Sequence, residues 1–354
     1  MEFGLSQEQR LLQDMVNKFL NEQVTLDRVR QVANGENNDS SIWQGLAELG
    51  IAGLMVPEEF GGVGLNALDA IVIAECLGYH VTPTPFISTA VIAPCALLAA
   101  NKGDTLAAIA SGQHRIGIAF GEAIGARKGA RVSTNGATIN GKCLFVLDAE
   151  ADEYLIADTD KKLYLIAANA TGVERNTLTT VDKTRSTCEL ILTNVSAELI
   201  SEDPAIYTRC LDLGRAVQAA DTLGAAQSML DQAVAYAKER EQFNRVIASF
   251  QAVKHMCAEM VASLEPCRSM VWYTGHAMDE VPDEARLMAC QSKSHLSEVG
   301  QFVAKTSTEV HGGMGFTDLV GLHYWFKRIG ANRQLLGSPE LVREEAARVQ
   351  GLIG

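Results

Sequence analysis

Positive charge is scarce in this chain. Against 43 aspartates and glutamates stand 30 lysines and arginines, a formal net charge of -13 over 354 residues. That deficit argues against nucleic acid or an anionic membrane as the main partner, because phosphate is held by clustered lysine and arginine. Paired cysteines are missing as well. The eight cysteines (Cys76, Cys95, Cys143, Cys188, Cys210, Cys257, Cys267 and Cys290) are scattered, with no CxxC pair and no zinc-site spacing. They read as reduced, mostly buried small apolar residues, and no metal is expected. No apolar run reaches the length of a membrane span. The start, Met1-Glu-Phe-Gly-Leu-Ser6, lacks the basic opening and apolar run of a signal peptide, so a cytoplasmic location is expected. Internal repeats and low-complexity tracts are also absent.

What is present is ordinary globular material. Hydrophobic residues make up 47% and charged residues 21%, enough for buried cores, and the length predicts two or three domains. Apolar residues recur at helical spacing from Ser6 to about Asn101, beginning with Leu11, Leu12, Met15, Val16, Phe19 and Leu20, and Ser6 with Glu8 and Gln9 offers a cap. Between about Arg115 and Leu199 the period shortens to that of strands, with turn residues at Asn135-Gly136, Asn140-Gly141 and Asp182-Lys183. Helical spacing then returns over Leu211 to Arg240, Phe250 to Met278 and Asp283 to His311. The expected class is α+β: an N-terminal helical domain over residues 1–112, an antiparallel β domain over 113–203 and a C-terminal helical bundle over 204–354.

Two segments carry chemistry. In Arg240-Glu-Gln-Phe-Asn244, Arg240 is suited to bridging a pyrophosphate, and in Glu309-Val-His-Gly-Gly313 the glycines Gly312 and Gly313 let backbone approach a nucleotide without a Cβ in the way. Together with Gly50-Ile-Ala-Gly-Leu-Met-Val-Pro-Glu-Glu-Phe-Gly-Gly-Val-Gly64, Glu75-Cys-Leu-Gly78 and Thr180-Val-Asp-Lys-Thr-Arg-Ser186, they resemble the signatures of the acyl-CoA dehydrogenase family over nearly the whole chain. The resemblance implies FAD as cofactor, an acyl-CoA thioester as substrate and electron-transfer flavoprotein as electron acceptor. It also implies that Arg240, Gln242, Phe243, Glu309, Gly312 and Gly313 contact the diphosphate and adenine of a neighbouring subunit's flavin. Glu309 stands where the family has glutamine, and Asn244 where it has glycine.

Other departures fall on the active site. A carboxylate must remove the α-proton of the thioester. The family seats it in a "YEGT" loop, where this chain has Leu336, or Gly337 one position on; a minority seat it in an "LDLER" helix, where Leu211-Asp-Leu-Gly-Arg215 has Gly214. No catalytic base is therefore assigned. In the β domain only Glu122 echoes the flavin-binding "TEPxAGSD" segment; Phe145 can replace a tryptophan wall, but Leu147 cannot replace a threonine hydroxyl. Shortened chains of this kind resemble the subunit without a base in heteromeric dehydrogenases of steroid side chains. A homologous catalytic subunit in a heterotetramer, or a homo-oligomer, is the expected partner. Two other readings are a self-sufficient enzyme with its base at Glu340 or Asp221, and a flavin-free scaffold.

Overall fold

The computed structural model describes residues 4–125, 130–135 and 137–354. Helix α1 (Gln7–Gln23) starts at Ser6, whose hydroxyl accepts from Gln9 N at 3.1 Å while the Gln9 side chain accepts from Ser6 N at 3.0 Å, a reciprocal cap. Helices α2 (Leu26–Ala33), α3 (Ser40–Glu48) and α4 (Ala67–Tyr79) follow. A buried π-helical stretch, Phe86–Ile92, then leads into α5 (Ala93–Ala99) and α6 (Gly103–Ala110).

The chain next forms β1 (Ile116–Ala119), the short α7 (Gly121–Ile124), β2 (Val132–Asn135), β3 (Thr138–Leu147), β4 (Glu153–Ala157), β5 (Leu163–Ala167), β6 (Val173–Thr177), β7 (Thr187–Ser196) and β8 (Glu198–Ser201). The sheet order is β6-β7-β3-β1-β4-β5-β8, with β2 on β3. The expected antiparallel domain needs correction, because β1 and β4 pair in parallel, Ile116 with Glu153 through Ala119 with Ile156. Alternation along a strand reports which face each residue takes, not the direction of its neighbour. The crossover that a parallel pair requires is supplied by α7, β2 and β3.

Asn140-Gly141 is likewise not a turn. It lies within β3, where the pairing with β7 shifts register between Ile139 and Gly141. Gly141 has φ +138° and a side chain there would collide with the Arg131 carbonyl, so this glycine serves a bulge. Gly136 of the other expected turn lies outside the described residues.

The final third is helical: α8 (Pro204–Glu239), a hairpin of β9 (Glu241–Gln242) and β10 (Arg245–Val246), α9 (Gln251–Glu280), α10 (Pro282–His311), α11 (His323–Gln334) and α12 (Pro339–Val349). Buried along much of its length, α8 is the spine against which α4, α9, α10 and the π-helical stretch pack. One apolar core runs from the N-terminal helices through one face of the sheet into the bundle; a second, including Val146, Tyr154, Ile156 and Leu190, fills the other face of the sheet.

Candidate functional site

Both empty seats of the catalytic base occupy one place. A β-carbon added to Gly214 on α8 would lie 2.7 Å from Cδ1 of Ile92 and 2.7 Å from Cδ1 of Leu336. The space in front of Gly214 is thus filled by the last residue of the π-helical stretch and by the leucine of the α11–α12 connection. Gly337 offers no alternative seat, since it has φ +112° and a side chain there would press on Val342 and the Arg215 guanidinium. Leu336 itself has φ +58°, a left-handed conformation costing a non-glycine residue roughly 1–2 kcal/mol. Arg215 helps to hold it there, its Nε donating to the Leu336 carbonyl at 2.8 Å.

Behind this aliphatic plug the charges are paired. The fully buried Arg215 makes a bidentate bridge to Glu345 at 2.6 and 3.0 Å, and Arg286 joins Glu345 to Asp212. Burial works against the charge on Glu345, but Arg215 and Arg286 outweigh it and hold the carboxyl below its ordinary value. At Asp212 burial prevails over the same cations and pushes the carboxyl up to about 6. Neither carboxylate is among the residues that line the cleft described below.

The two alternative bases are placed elsewhere. Asp221 is buried between Arg185 at 2.8 Å and Arg328 at 3.2 Å and accepts from Asn332 at 2.7 Å. Burial opposes its charge, yet the two guanidiniums keep it below the ordinary aspartate value. Glu340 is exposed in the first turn of α12, is held low by that helix end, by Ser338 and by Arg333 at 3.3 Å, and does not line the cleft.

The cleft, of about 480 Å³, opens between the sheet and the α11–α12 region. Ile118, Phe120, Leu144, Phe145 and Leu147 wall one side; Leu335, Leu336 and Leu341 wall the other. Phe145 and Leu147 therefore stand on one wall. Glu122 does not: one carboxylate oxygen accepts from Leu144 N at 2.7 Å beneath β3. Thr187, which sequence reasoning passed over, lines the cleft and has a buried hydroxyl without a hydrogen-bond partner among the described residues.

At the other end of α8 the surface is open. Arg240 caps the helix, its N–H donating to the Tyr236 carbonyl at 2.8 Å and its carbonyl accepting from Ile247 N at 2.8 Å, while its side chain is exposed. The β9–β10 hairpin turns through Phe243 (φ +54°) and Asn244 (φ +61°), and asparagine tolerates this left-handed geometry better than most residues. Gln242 and Phe243 are exposed. At the end of α10, Gly312 (φ +58°) and Gly313 have nothing within 4 Å of where a Cβ would stand, and Glu309 is exposed one turn before. The two segments are joined by the Tyr236 and His311 rings, stacked at 4.7 Å with an interplanar angle of 25°. His311 is neutral-favouring, as burial lowers its pKa, and its Nδ1 contacts the Ser307 carbonyl at 2.7 Å.

These features fit a flavin nucleotide. Open glycine backbone and an exposed guanidinium suit a diphosphate, and the cleft, lined by a threonine whose hydroxyl has no partner among the described residues, suits a polar-edged ring. They do not fit one flavin. Gly214 and Arg240 are separated by about 39 Å along α8 at a rise of ~1.5 Å per residue, farther than an extended dinucleotide reaches. Among the described residues no group of three or more His, Cys, Asp or Glu side chains could hold a metal ion, all eight cysteines are free, and no helix is long and apolar enough to cross a membrane.

Comparison with known proteins identifies the family. The model of the acyl-CoA dehydrogenase N-terminal domain matches residues 6–112, and that of the C-terminal domain matches residues 205–351. The chain belongs to the acyl-CoA dehydrogenase family. Membership places it among oxidoreductases that act on acyl-CoA. Acyl-CoA dehydrogenase IpdE2 of Mycolicibacterium smegmatis is 30% identical over 353 residues, covering 98% of this chain and 99% of that protein. Among solved structures, the Tcur3481-Tcur3483 steroid ACAD G363A variant matches at a TM-score of 0.88 with 28% identity, covering 98% of each chain. The ChsE4-ChsE5 complex from Mycobacterium tuberculosis matches in fold at 0.90, with 22% identity and full coverage of both chains.

Proposed function

We propose that this acyl-CoA dehydrogenase chain is a subunit without a proton acceptor, which lends FAD-clasping contacts to a homologous catalytic partner. The observation that carries the reading is the plug: the two positions where a base belongs meet, and both are occupied by groups that take no proton. A positioned general base typically contributes about 10²–10⁴ in rate, and on this reading another chain supplies the carboxylate. Arg240, Gln242, Phe243, Gly312 and Gly313 form the clasp, with Glu309 at its rim. The span of α8 supports a clasp that serves a flavin held by a neighbour. FAD, when bound, would supply the hydride acceptor, with electron-transfer flavoprotein as the expected electron acceptor. This chain's residues bind and orient it. The similarity to a steroid dehydrogenase of two gene products supports a bulky acyl-CoA as substrate and a dimer of heterodimers as assembly.

The test is turnover of a panel of acyl-CoAs with an artificial electron acceptor. The purified chain alone is expected to be silent, and activity to appear when a partner carrying the glutamate is co-expressed. Turnover by the chain alone, abolished by Asp221→Asn or Glu340→Gln, overturns the reading in favour of a self-sufficient enzyme. A colourless but assembled complex overturns it in favour of a scaffold.

A further inference from the structure

We infer that Thr187 is the side chain through which this chain's own cleft hydrogen-bonds a flavin ring, an inference that rests on the flavin-binding reading. A buried hydroxyl without a partner is costly, and nearly all such groups in folded proteins are satisfied. Of the buried side-chain nitrogen and oxygen atoms that lack a partner among the described residues, Thr187 Oγ1 is the one whose residue lines the cleft. Of the other polar side chains that line the cleft, Gln334 is exposed to solvent and the rest are committed within the protein. Arg185 bridges to Asp221 and Asp182 to Arg328, the Thr180 hydroxyl donates to the Asp182 carbonyl at 2.8 Å, and Ser338 caps α12.

Its place in the sheet points the same way. Thr187 opens β7 directly opposite Leu147 of β3, and cross-strand partners project to one face, so the two side chains are neighbours on the cleft wall. In the described geometry Oγ1 is shut off from water. A change of χ1 rotamer needs no backbone movement and would turn the hydroxyl toward the cleft that the residue lines. A hydroxyl both donates and accepts, which suits the carbonyl and nitrogen edge of an isoalloxazine, while Phe120, Leu144 and Leu335 offer it apolar surfaces. The wall thus regains on β7 the hydroxyl that Leu147 lacks on β3. The clasp at Arg240 and the ring pocket at Thr187 then serve two different flavins.

The experiment uses the full chain in complex with its partner, stripped of flavin and titrated with FAD and with lumiflavin, which carries the ring but no diphosphate. Thr187→Val is expected to weaken both about two- to tenfold at a number of sites equal to the copies of this chain, and to shift the visible band of the flavin bound there. Thr187→Ser should bind as the parent does, and Leu147→Thr in the Thr187→Val background should recover binding. The flavin-free Thr187→Val complex should be as stable as the parent or more so, because it removes an unsatisfied group. Unchanged binding and spectrum in Thr187→Val, or one flavin for each pair of different chains, overturns the inference and leaves the clasp reading standing. A parent complex that takes up no FAD overturns both.

Discussion

The two ends of α8 carry opposite kinds of surface. Around Gly214, Ile92 and Leu336 fill the cleft side with aliphatic carbon, and the charges behind them are consumed in the Arg215, Glu345, Arg286 and Asp212 network. Around Arg240 the guanidinium is exposed, and the glycine backbone of residues 312 and 313 faces open space. The first end is built by packing and buried ion pairs, so its residues contribute to folding. The second end contributes little to folding, since an exposed charge in high dielectric gains and loses almost nothing. Its arrangement is suited to something outside the chain. Substitutions at the two ends should therefore separate into effects on stability and effects on ligand retention.

The largest effect is expected at the plugged end. Glu345→Ala leaves Arg215 buried and unpaired, and breaking a buried pair in this way costs about 3–5 kcal/mol, measurable as a fall in the urea midpoint. The pH dependence has a definite sign. Because the folded Glu345 carboxyl titrates below its ordinary value of 4.5, its contribution is present above that pH and is lost as pH falls through the lower, folded value. The parent protein should lose this stability on acidification, whereas Glu345→Ala should lack that step. A variant as stable as the parent at pH 7 would mean that the network does not hold the plug.

At the open end the pattern should reverse. Arg240→Ala is expected to leave urea stability within about 0.5 kcal/mol of the parent. In the complex with the partner it should weaken FAD retention roughly ten- to hundredfold, the equivalent of a charge-assisted bond of about 1.5–3 kcal/mol. Lumiflavin, which has no diphosphate, should bind unchanged. If flavin content after gel filtration is the same in mutant and parent, Arg240 is not part of a clasp.

Much of this contrast could be read along the chain. Helical and strand periods locate the helices and strands because they are local, and the clasp is two short contiguous segments. The absence of a carboxylate at Leu336, Gly337 and Gly214 is visible as residue identity. Other features depend on which distant segments meet. Nothing near Arg215 names Glu345, 130 residues away, as its partner. The parallel pairing of β1 with β4 leaves no mark in either strand, and Asn140-Gly141 reads as a hairpin turn because a bulge asks for the same residue types. Thr187 was silent for a related reason: a threonine at the start of a strand is ordinary until its missing partner is known.

The smallest effect concerns Gln218, one polar exception near the plug. It lies on α8 four residues beyond Gly214 and so on the same face, is wholly buried, and has neither side-chain nitrogen nor oxygen partnered among the described residues. An amide buried without hydrogen bonds costs roughly 1–3 kcal/mol, and leucine offers similar bulk without that cost. Gln218→Leu is therefore expected to raise stability by about 1 kcal/mol, read as a higher urea midpoint with unchanged slope, while FAD retention stays at the parent level. That is the mirror image of Arg240→Ala, in which retention changes and stability does not. A lower midpoint would show that an internal water or a neighbouring group satisfies the amide. The plugged end would then be held by a polar network running deeper than the Arg215 cluster, and the contrast between an apolar end and a polar end of α8 would have to be withdrawn.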